Sequence, residues 1–306
     1  MWATLDGKPP LVIAHRGASG YLPEHTLEAY ALAIDQGADI VEPDLVFTKD
    51  GILVARHDRY LSTTTDVADH EEFSARKRAS DDPNDAPRVD WWIEDFTLAE
   101  IKTLRARQPF PGRSKEFDGL YEIPTFDEML ALVAAKSKEA GRPVGVYPET
   151  KHPAFFALIG HDFEKPLLAA LEGFDAGPVF IQSFEPEILK RLKGRTDARL
   201  VLLVDQAGSG APTLALEEAA TFADAVGPAK SLLLTQGGLF NDYIKRAHML
   251  GLPVHPWTFR DDRPNQGMAS NEEFIGFLTA GVDGVFADFP DTAMAVRAAL
   301  AHTREK

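Results

Sequence analysis

The sequence predicts an α/β fold, a TIM (β/α)8 barrel with a small insertion subdomain after the second strand and its hairpin. Two observations predict the barrel. Short β-branched apolar runs alternate with amphipathic stretches of helical period along most of the chain, and the apolar runs number eight. The length of 306 residues leaves two smaller domains open, although α/β barrels commonly reach this size as one unit. Strict alternation favours the barrel over a doubly wound sheet.

The apolar runs are the predicted barrel strands, because each is short, rich in β-branched residues and followed by turn-forming residues. In chain order they are Leu11–Ala14, Ile40–Thr48, Val144–Thr150, Val179–Phe184, Leu200–Val204, Ser231–Thr235, Val254–Thr258 and Gly284–Ala287.

The stretches between the strands have the apolar spacing of amphipathic helices. Several of them end on a glycine, such as Gly37, Gly141 and Gly281, as expected where a helix turns back into a strand. The predicted helices are Thr26–Gln36, Phe126–Glu139, His161–Leu171, Pro186–Leu192, Leu214–Ala223, Asp242–Leu250, Asn271–Ala280 and Asp291–Ala301.

Two interruptions break the alternation. Lys49-Asp50-Gly51 predicts a hairpin turn into Ile52–His57, which returns His57 towards the second strand. Residues 59–121 are rich in charge and proline, yet they include Trp91, Trp92 and a further helical stretch, so they are apolar enough to fold. We therefore expect one barrel domain over residues 1–306, with residues 59–121 as a subdomain over one of its ends.

Composition excludes several classes of function. The 32 basic and 47 acidic side chains give a net charge of −15, which disfavours nucleic acid and anionic membrane surfaces as partners. The absence of cysteine excludes disulfides, thiolate nucleophiles and cysteine-based metal sites. No apolar run is long enough to span a membrane, and residues 1–10 lack the profile of an export signal.

Polar side chains follow the first two predicted strands. His15 and Arg16 come directly after Leu11–Ala14, at the end of the strand that faces the active site in a barrel. Glu42 and Asp44 share one face of the second strand because side chains alternate along it. Such a pair favours a hard divalent cation between the carboxylates, and a salt-bridged pair on a solvated strand is the alternative.

Further candidates lie after the hairpin and on the third strand. Glu149 and Lys151 share a face, so Glu149 is a candidate third metal carboxylate and Lys151 a candidate phosphate contact, and an ordinary surface ion pair is the alternative. His57 adds a second imidazole for acid–base chemistry. Most of the remaining seven histidines are interpreted as surface or packing residues: His25, His70, His152, His161, His248, His255 and His302.

Together these motifs resemble the glycerophosphodiester phosphodiesterase family. The resemblance rests on His15-Arg16-Gly17-Ala18, Pro23-Glu24-His25-Thr26, Glu42-x-Asp44, His57-Asp58 and Glu149-x-Lys151, and continues more weakly to Pro290. It implies that Glu42, Asp44 and Glu149 hold one divalent ion, Ca²⁺ or Mg²⁺. It further implies that His15 and His57 are the acid–base pair and that Arg16 and Lys151 contact the phosphate, with Gln182 and Trp257 lining the glycerol end of the pocket.

The implied activity is metal-dependent hydrolysis of glycerophosphodiesters, such as glycerophosphocholine or glycerophosphoethanolamine, to sn-glycerol 3-phosphate and an alcohol. Two alternatives stay open: a related barrel phosphodiesterase or phospholipase D that acts on lysophospholipids, and a non-catalytic phosphodiester-binding protein. A small-molecule substrate and no nucleic-acid partner are expected, and a homodimer is left open.

The residues also bear on the compartment. Where the family more often has Pro-Glu-Asn-Thr, His25 replaces the asparagine, and this variant resembles the exported bacterial subgroup. An exported, periplasmic location is therefore expected if a signal peptide has been removed, and a cytoplasmic one otherwise.

Overall fold

The computed structural model describes residues 1–83, 85–265 and 268–304. Its strands, in chain order, are β1 (Leu11–His15), β2 (Ile40–Glu42), β3 (Asp44–Phe47), β4 (Leu53–Ala55), β5 (Arg78–Ala79), β6 (Val89–Asp90), β7 (Gly145–Val146), β8 (Glu149–Thr150), β9 (Phe180–Ser183), β10 (Arg199–Val204), β11 (Ala225–Pro228) and β12 (Gly284–Ala287).

The helices pack outside the barrel strands or connect them. They are α1 (Leu27–Asp35), α2 (Leu98–Ile101), α3 (Phe126–Ala140), α4 (Pro153–Leu158), α5 (Glu164–Leu171), α6 (Pro186–Leu192), α7 (Leu216–Ala219), α8 (Tyr243–Met249), α9 (Ser270–Ala280) and α10 (Pro290–Arg304). Short 3₁₀ turns occupy Val67–Asp69, Glu71–Arg76, Ile93–Asp95 and Lys230–Leu233.

The parallel strands form a barrel, as the sequence predicts. One sheet has the order β12-β1-β2-β7, and the other has the order β11-β10-β9-β8-β3, with the hairpin strand β4 antiparallel at its edge. The two sheets are joined because the second and third barrel strands are each interrupted at a proline, Pro43 and Pro148, so that their halves pair in different sheets.

The seventh barrel strand is represented by single bridges. Val254 pairs with Val226, Trp257 with Ala229, and Phe259 with Ala287, all in parallel. These bridges connect β11 to β12 and complete the ring of eight positions.

Alternation along each strand separates two cores. In β1, Val12 and Ala14 face the helices, whereas Ile13 faces the barrel interior. Ile13 belongs to an apolar layer that fills the barrel, together with Ile40, Tyr147, Phe180, Val201, Ala225 and Phe286. This layer closes the barrel below its carboxyl end, so any ligand must bind above it.

Local signals set the helix boundaries. Thr26 begins α1 by accepting a hydrogen bond from the Ala29 amide at 3.2 Å, and Thr125 begins α3 in a capping box with Glu128. Gly141 ends α3 in the left-handed region with φ 63°, as its glycine predicts.

Two predicted strands differ from the structure. Ser231–Thr235 is wrong as a strand, because Lys230–Leu233 forms a 3₁₀ turn and the sixth barrel strand is β11, whose Gly227 and Pro228 weaken its strand pattern. Val254–Thr258 has the predicted place in the barrel but forms only bridges, since Pro253 and Pro256 lack amide donors.

The segment that follows the hairpin crosses the carboxyl end of the barrel. In its described residues, 59–83 and 85–121, it contains the β5–β6 ribbon, three of the 3₁₀ turns and α2. Tyr60, Thr63 and Phe110 from this segment line the pocket at that end. We propose that it forms a small subdomain of the one barrel domain.

Among the residues that the structure describes, none of the helices combines the length and apolar character needed to cross a bilayer.

Candidate active site

A pocket of about 820 Å³ opens at the carboxyl ends of the barrel strands. It brings together eight of the nine predicted site residues, namely His15, Arg16, Glu42, His57, Glu149, Lys151, Gln182 and Trp257. The ninth, Asp44, is 1% exposed and contacts the pocket residues Arg16 and Lys151. Distant segments meet here because parallel strands present their carboxyl ends at one edge.

Three carboxylates form a cluster at this edge. Asp44 pairs in register with Glu149 across β3 and β8, and Glu42 pairs with His15 across β2 and β1. One oxygen from each of Glu42, Asp44 and Glu149 lies within 4.8 Å of the others, and all three side chains are buried. The strand is therefore buried rather than solvated at Glu42 and Asp44, although Asp44 is salt-bridged to Arg16.

The carboxylates of the cluster are held in place by hydrogen bonds and an ion pair. Gln182 Nε2 donates to Glu42 Oε1 at 2.9 Å, and the Arg16 amide donates to Glu42 Oε2 at 3.0 Å. Lys151 Nζ lies 2.9 Å from Glu149 Oε1 and 3.9 Å from Asp44 Oδ1.

Burial and mutual repulsion set the protonation of the carboxylates. Burial, with Asp44 nearby, raises the pKa of Glu42 well above its usual value. Burial also raises the pKa of Glu149 to about 8, with a further contribution from Asp44. Although burial opposes it, Lys151 and Arg16 hold the pKa of Asp44 well below its usual value. Near neutral pH, the cluster therefore retains protons that a divalent cation would displace.

Arg16 directs a positive charge into the pocket from an unusual backbone position, with φ 59°. Its Nη1 donates to both oxygens of Glu24 at 3.1 Å, and its Nε lies 3.0 Å from Asp44 Oδ2. Burial lowers the pKa of Arg16, but Glu24 and Asp44 outweigh burial, so its pKa is raised and it stays charged.

The two predicted catalytic imidazoles are each held by a carboxylate. His15 Nδ1 lies 2.7 Å from Asp288 Oδ1, and His57 Nδ1 lies 2.7 Å from Asp58 Oδ1. Asp58 and Asp288 are ionised because their pKa values lie below the usual range, so each can only accept, and Nδ1 of each imidazole carries the proton. In both neutral rings, Nε2 is then the free acceptor.

Burial keeps these imidazoles neutral. Burial, followed by the charge of Arg16, lowers the pKa of His15 to about 4. The pKa of His57 is also lowered, first by burial and then by Arg16 and Lys151.

The apolar wall of the pocket is formed by Trp257 and Phe184, whose rings meet edge to face with centroids 5.6 Å apart. The Trp257 indole donates to the Gly227 carbonyl at 2.7 Å, which fixes the ring.

Sequence reasoning missed several contacts of the site. His25 was not singled out as a site residue, yet its Nε2 lies 2.9 Å from Asp44 Oδ2 and its Nδ1 lies 2.7 Å from the Tyr30 hydroxyl. Its place inside the motif Pro23-Glu24-His25-Thr26 is a signal that could have identified it. Asp288 lies in the weaker part of the family resemblance, Asp288-Phe289-Pro290, but its contact with His15 was not predicted, and Arg113 belongs to no motif of that resemblance.

Comparisons with known proteins identify the family of this chain. The glycerophosphoryl diester phosphodiesterase family matches residues 15–292. A glycerophosphodiester phosphodiesterase of Arabidopsis thaliana is 34% identical over 93% of this chain and 85% of its own length. One from Haemophilus influenzae is 32% identical over 93% of this chain and 88% of its own length.

Solved structures with the same fold include a glycerophosphoryl diester phosphodiesterase of Silicibacter pomeroyi, with a TM-score of 0.70 and 22% identity over 98% of both chains. A phosphodiesterase of Oleispira antarctica, solved with the product sn-glycerol-3-phosphate, has a TM-score of 0.69 and 22% identity over 96% of this chain and 98% of its own.

Proposed function

This chain belongs to the glycerophosphoryl diester phosphodiesterase family and is an enzyme that hydrolyses glycerophosphodiesters, and we propose that it does so with two imidazoles and a divalent cation in the described pocket. The substrates we propose are glycerophosphocholine and glycerophosphoethanolamine, which would yield sn-glycerol 3-phosphate and the free alcohol. The observation that carries the proposal is the pair of neutral, carboxylate-held imidazoles that face the same pocket as three buried carboxylates.

Glu42, Asp44 and Glu149 are the residues that would hold the cation. Their oxygens suit a hard ion, Ca²⁺ or Mg²⁺, and the pKa values of Glu42 and Glu149 are raised by burial first and then by the charge of Asp44. Such an ion, when bound, offsets negative charge on phosphoryl oxygens.

Arg16 and Lys151 would bind the phosphodiester. Both line the pocket, and both remain positively charged because buried carboxylates surround them. The Arg16 guanidinium is held by Glu24, and Lys151 by Glu149, so neither side chain needs to reorganise when charge develops on the phosphate. Gln182 and Trp257 would line the glycerol end.

The imidazoles would move the protons. We propose that the glycerol 2-hydroxyl attacks phosphorus, forming a new O–P bond as the bond to the head-group oxygen breaks. One of His15 and His57, neutral in the free enzyme, takes the hydroxyl proton, and the other, which takes up a proton when the anionic phosphodiester binds beside it, gives that proton to the leaving alkoxide. Water then opens the cyclic phosphate to sn-glycerol 3-phosphate.

Paired basic residues on the inserted segment weigh against a lysophospholipid substrate, although Val89 and Leu120 of that segment are exposed. That alternative needs an exposed basic or apolar rim on the inserted segment. The basic residues there are engaged: Arg76 contacts Glu100 at 2.5 Å, Arg78 contacts Asp95 at 2.7 Å, and Lys77 lies over the Trp91 ring.

Substrate competition tests the proposal. Purified enzyme with Mg²⁺ or Ca²⁺ is given glycerophosphocholine and a lysophosphatidylcholine, and sn-glycerol 3-phosphate and choline are measured separately. The proposal predicts sn-glycerol 3-phosphate from the first compound and little reaction with the second. Release of choline from the lysolipid alone would overturn it.

A further inference from the structure

The inserted segment contacts the loop that carries His15 through two buried side chains. Gln108 and Arg113 are 2% and 7% exposed. Gln108 Nε2 donates to the carbonyls of Ser19 at 2.9 Å and Leu22 at 3.2 Å, and Arg113 Nη1 donates to the same Ser19 carbonyl at 3.2 Å. Since the Ser19 hydroxyl donates to the His15 carbonyl at 2.8 Å, the segment is linked to the His15 backbone.

A second link runs through Asp288 to the His15 ring. Asp288 Oδ1 accepts from His15 Nδ1, whereas Oδ2 accepts from Arg113 Nη2 at 2.6 Å and from Arg260 Nε at 3.0 Å. The Asp288 side chain is 1% exposed, so these three groups are its environment rather than water. Rotation of this carboxylate would break all three contacts at once.

Arg113 is itself fixed on its other side. Its Nε and Nη2 donate to the two oxygens of Asp262 at 2.8 and 3.1 Å, in the fork geometry of a bidentate pair. The guanidinium therefore has one orientation and imposes a direction on Asp288, which a mobile point charge would not do.

We propose that Arg113 is a positioning residue for His15. Through Asp288, it holds the imidazole with Nδ1–H towards the carboxylate and leaves Nε2 free to exchange protons in the pocket. This inference rests on the proposed catalytic role of His15. It makes the inserted segment part of the active site, because a residue far from the reacting atoms sets the tautomer of the imidazole.

The kinetic test compares two arginine variants that each lose a paired guanidinium. Arg113→Met should lower kcat about tenfold or more, with KM changed by less than about twofold, since outer contacts of a catalytic group act on the reaction rather than on binding. The matched control is Arg297→Met, which removes the Arg297–Asp39 pair at the opposite end of the barrel. This control should keep the wild-type kcat.

Arg113→Lys keeps the positive charge but loses the bidentate geometry of the guanidinium, so we expect a kcat between those of Arg113→Met and the wild type. If Arg113→Met does not fold, Arg113→Lys serves as the test. Three results would overturn the proposal. The first is a wild-type kcat in the least active Arg113 variant that folds, and the second is an effect on KM alone. The third is an equal decrease of kcat in Arg297→Met.

A spectroscopic test separates this inference from the proposed function. Long-range ¹H–¹⁵N spectra of the histidine rings, assigned with His15→Gln, report which ring nitrogen carries the proton whether or not the enzyme turns over. We expect Nδ1–H for His15 in the wild type and a mixture of tautomers in Arg113→Met. An unchanged tautomer would overturn the role of Arg113, whereas full activity of His15→Ala would overturn the proposed function.

Discussion

Asp44 and Glu149 pair in register across β3 and β8, and with Glu42 their carboxylate oxygens lie within 4.8 Å of one another in a buried site. Lys151 contacts both residues and Arg16 contacts Asp44, yet these two cations do not neutralise three carboxylates. The pKa of Glu149 is accordingly raised to about 8 by burial and by Asp44. The register of β3 against β8 thus places two of the carboxylates that would bind a divalent ion next to each other.

Binding of a divalent ion should release protons near neutral pH. Below about pH 8, Glu149 is mostly protonated without the ion, so we expect about one proton or more released per ion at pH 7, decreasing as the pH rises past 8. Apparent affinity should rise over the same range. Titration calorimetry in two buffers of different ionisation enthalpy measures the number of protons released per bound ion. Glu149→Gln should release fewer protons than the wild type. Equal heats in both buffers would contradict the expectation.

Each cluster carboxylate should be needed for the ion. We expect Glu42→Gln, Asp44→Asn and Glu149→Gln each to weaken Mg²⁺ or Ca²⁺ binding by about tenfold or more, because each removes an anionic oxygen ligand. Calorimetry of the purified variants checks this, with the exposed Glu187→Gln on α6 as the control. Wild-type affinity in all three variants would place the ion elsewhere.

Both imidazoles should be needed for turnover. His15→Ala and His57→Ala are each expected to lower kcat by about 10²-fold or more, on the scale of a lost general acid or base. Steady-state kinetics with saturating ion measures the effect. Near-normal turnover in both variants would refute the acid–base assignment.

The glycerol 2-hydroxyl should be required. A 2-deoxy analogue of glycerophosphocholine keeps the phosphodiester but lacks the proposed nucleophile, so we expect very slow choline release. Parallel binding measurements, in which the analogue competes with substrate, separate poor binding from poor reaction. Normal turnover of the analogue would eliminate the cyclic phosphate.

Acid should destabilise the barrel through His255. This side chain is 2% exposed, contacts the Tyr147 hydroxyl at 2.8 Å, and has its pKa lowered to about 4 by burial. Because the folded state binds the proton less well than the unfolded state, stability is full above about pH 6.5 and falls towards pH 4, by on the order of 3 kcal/mol from this residue.

Urea unfolding at several pH values tests the contribution of His255. The free energy of unfolding of His255→Gln should depend less on pH between about 6.5 and 4 than that of the wild type. His302→Gln, at an exposed position, should keep the wild-type dependence. The same slope in all three proteins would show that His255 contributes nothing to acid sensitivity.

Much of the fold could be predicted because the signals are local. Only a few adjacent residues determine the apolar alternation of β1, and the same holds for the Thr125 and Gly141 caps of α3. The sixth strand was misplaced because Ser231–Thr235 has the more apolar pattern, whereas the strand itself, β11, contains glycine and proline and is held by its neighbours in the sheet.

The site could be predicted only in part for the same reason. The spacing of Glu42 and Asp44 predicts that they share a face, and the position of His15 after a strand predicts that it faces the active site. Arg113 and Asp288 lie 175 positions apart along the chain, and the residues next to Arg113 do not indicate that it contacts the partner of His15. Likewise, His25 is separated from Asp44 along the chain, and only the packing of α1 against the barrel reveals their contact.

The central claim is that the buried carboxylates hold an ion that the two imidazoles need in order to cleave the diester. The most direct measurement is release of sn-glycerol 3-phosphate from glycerophosphocholine by enzyme treated with EDTA, before and after Mg²⁺ or Ca²⁺ is restored. The account predicts loss of product with EDTA, recovery with the ion, and no recovery in Glu149→Gln at ion concentrations that saturate the wild type. Undiminished product release from ion-free enzyme would contradict it.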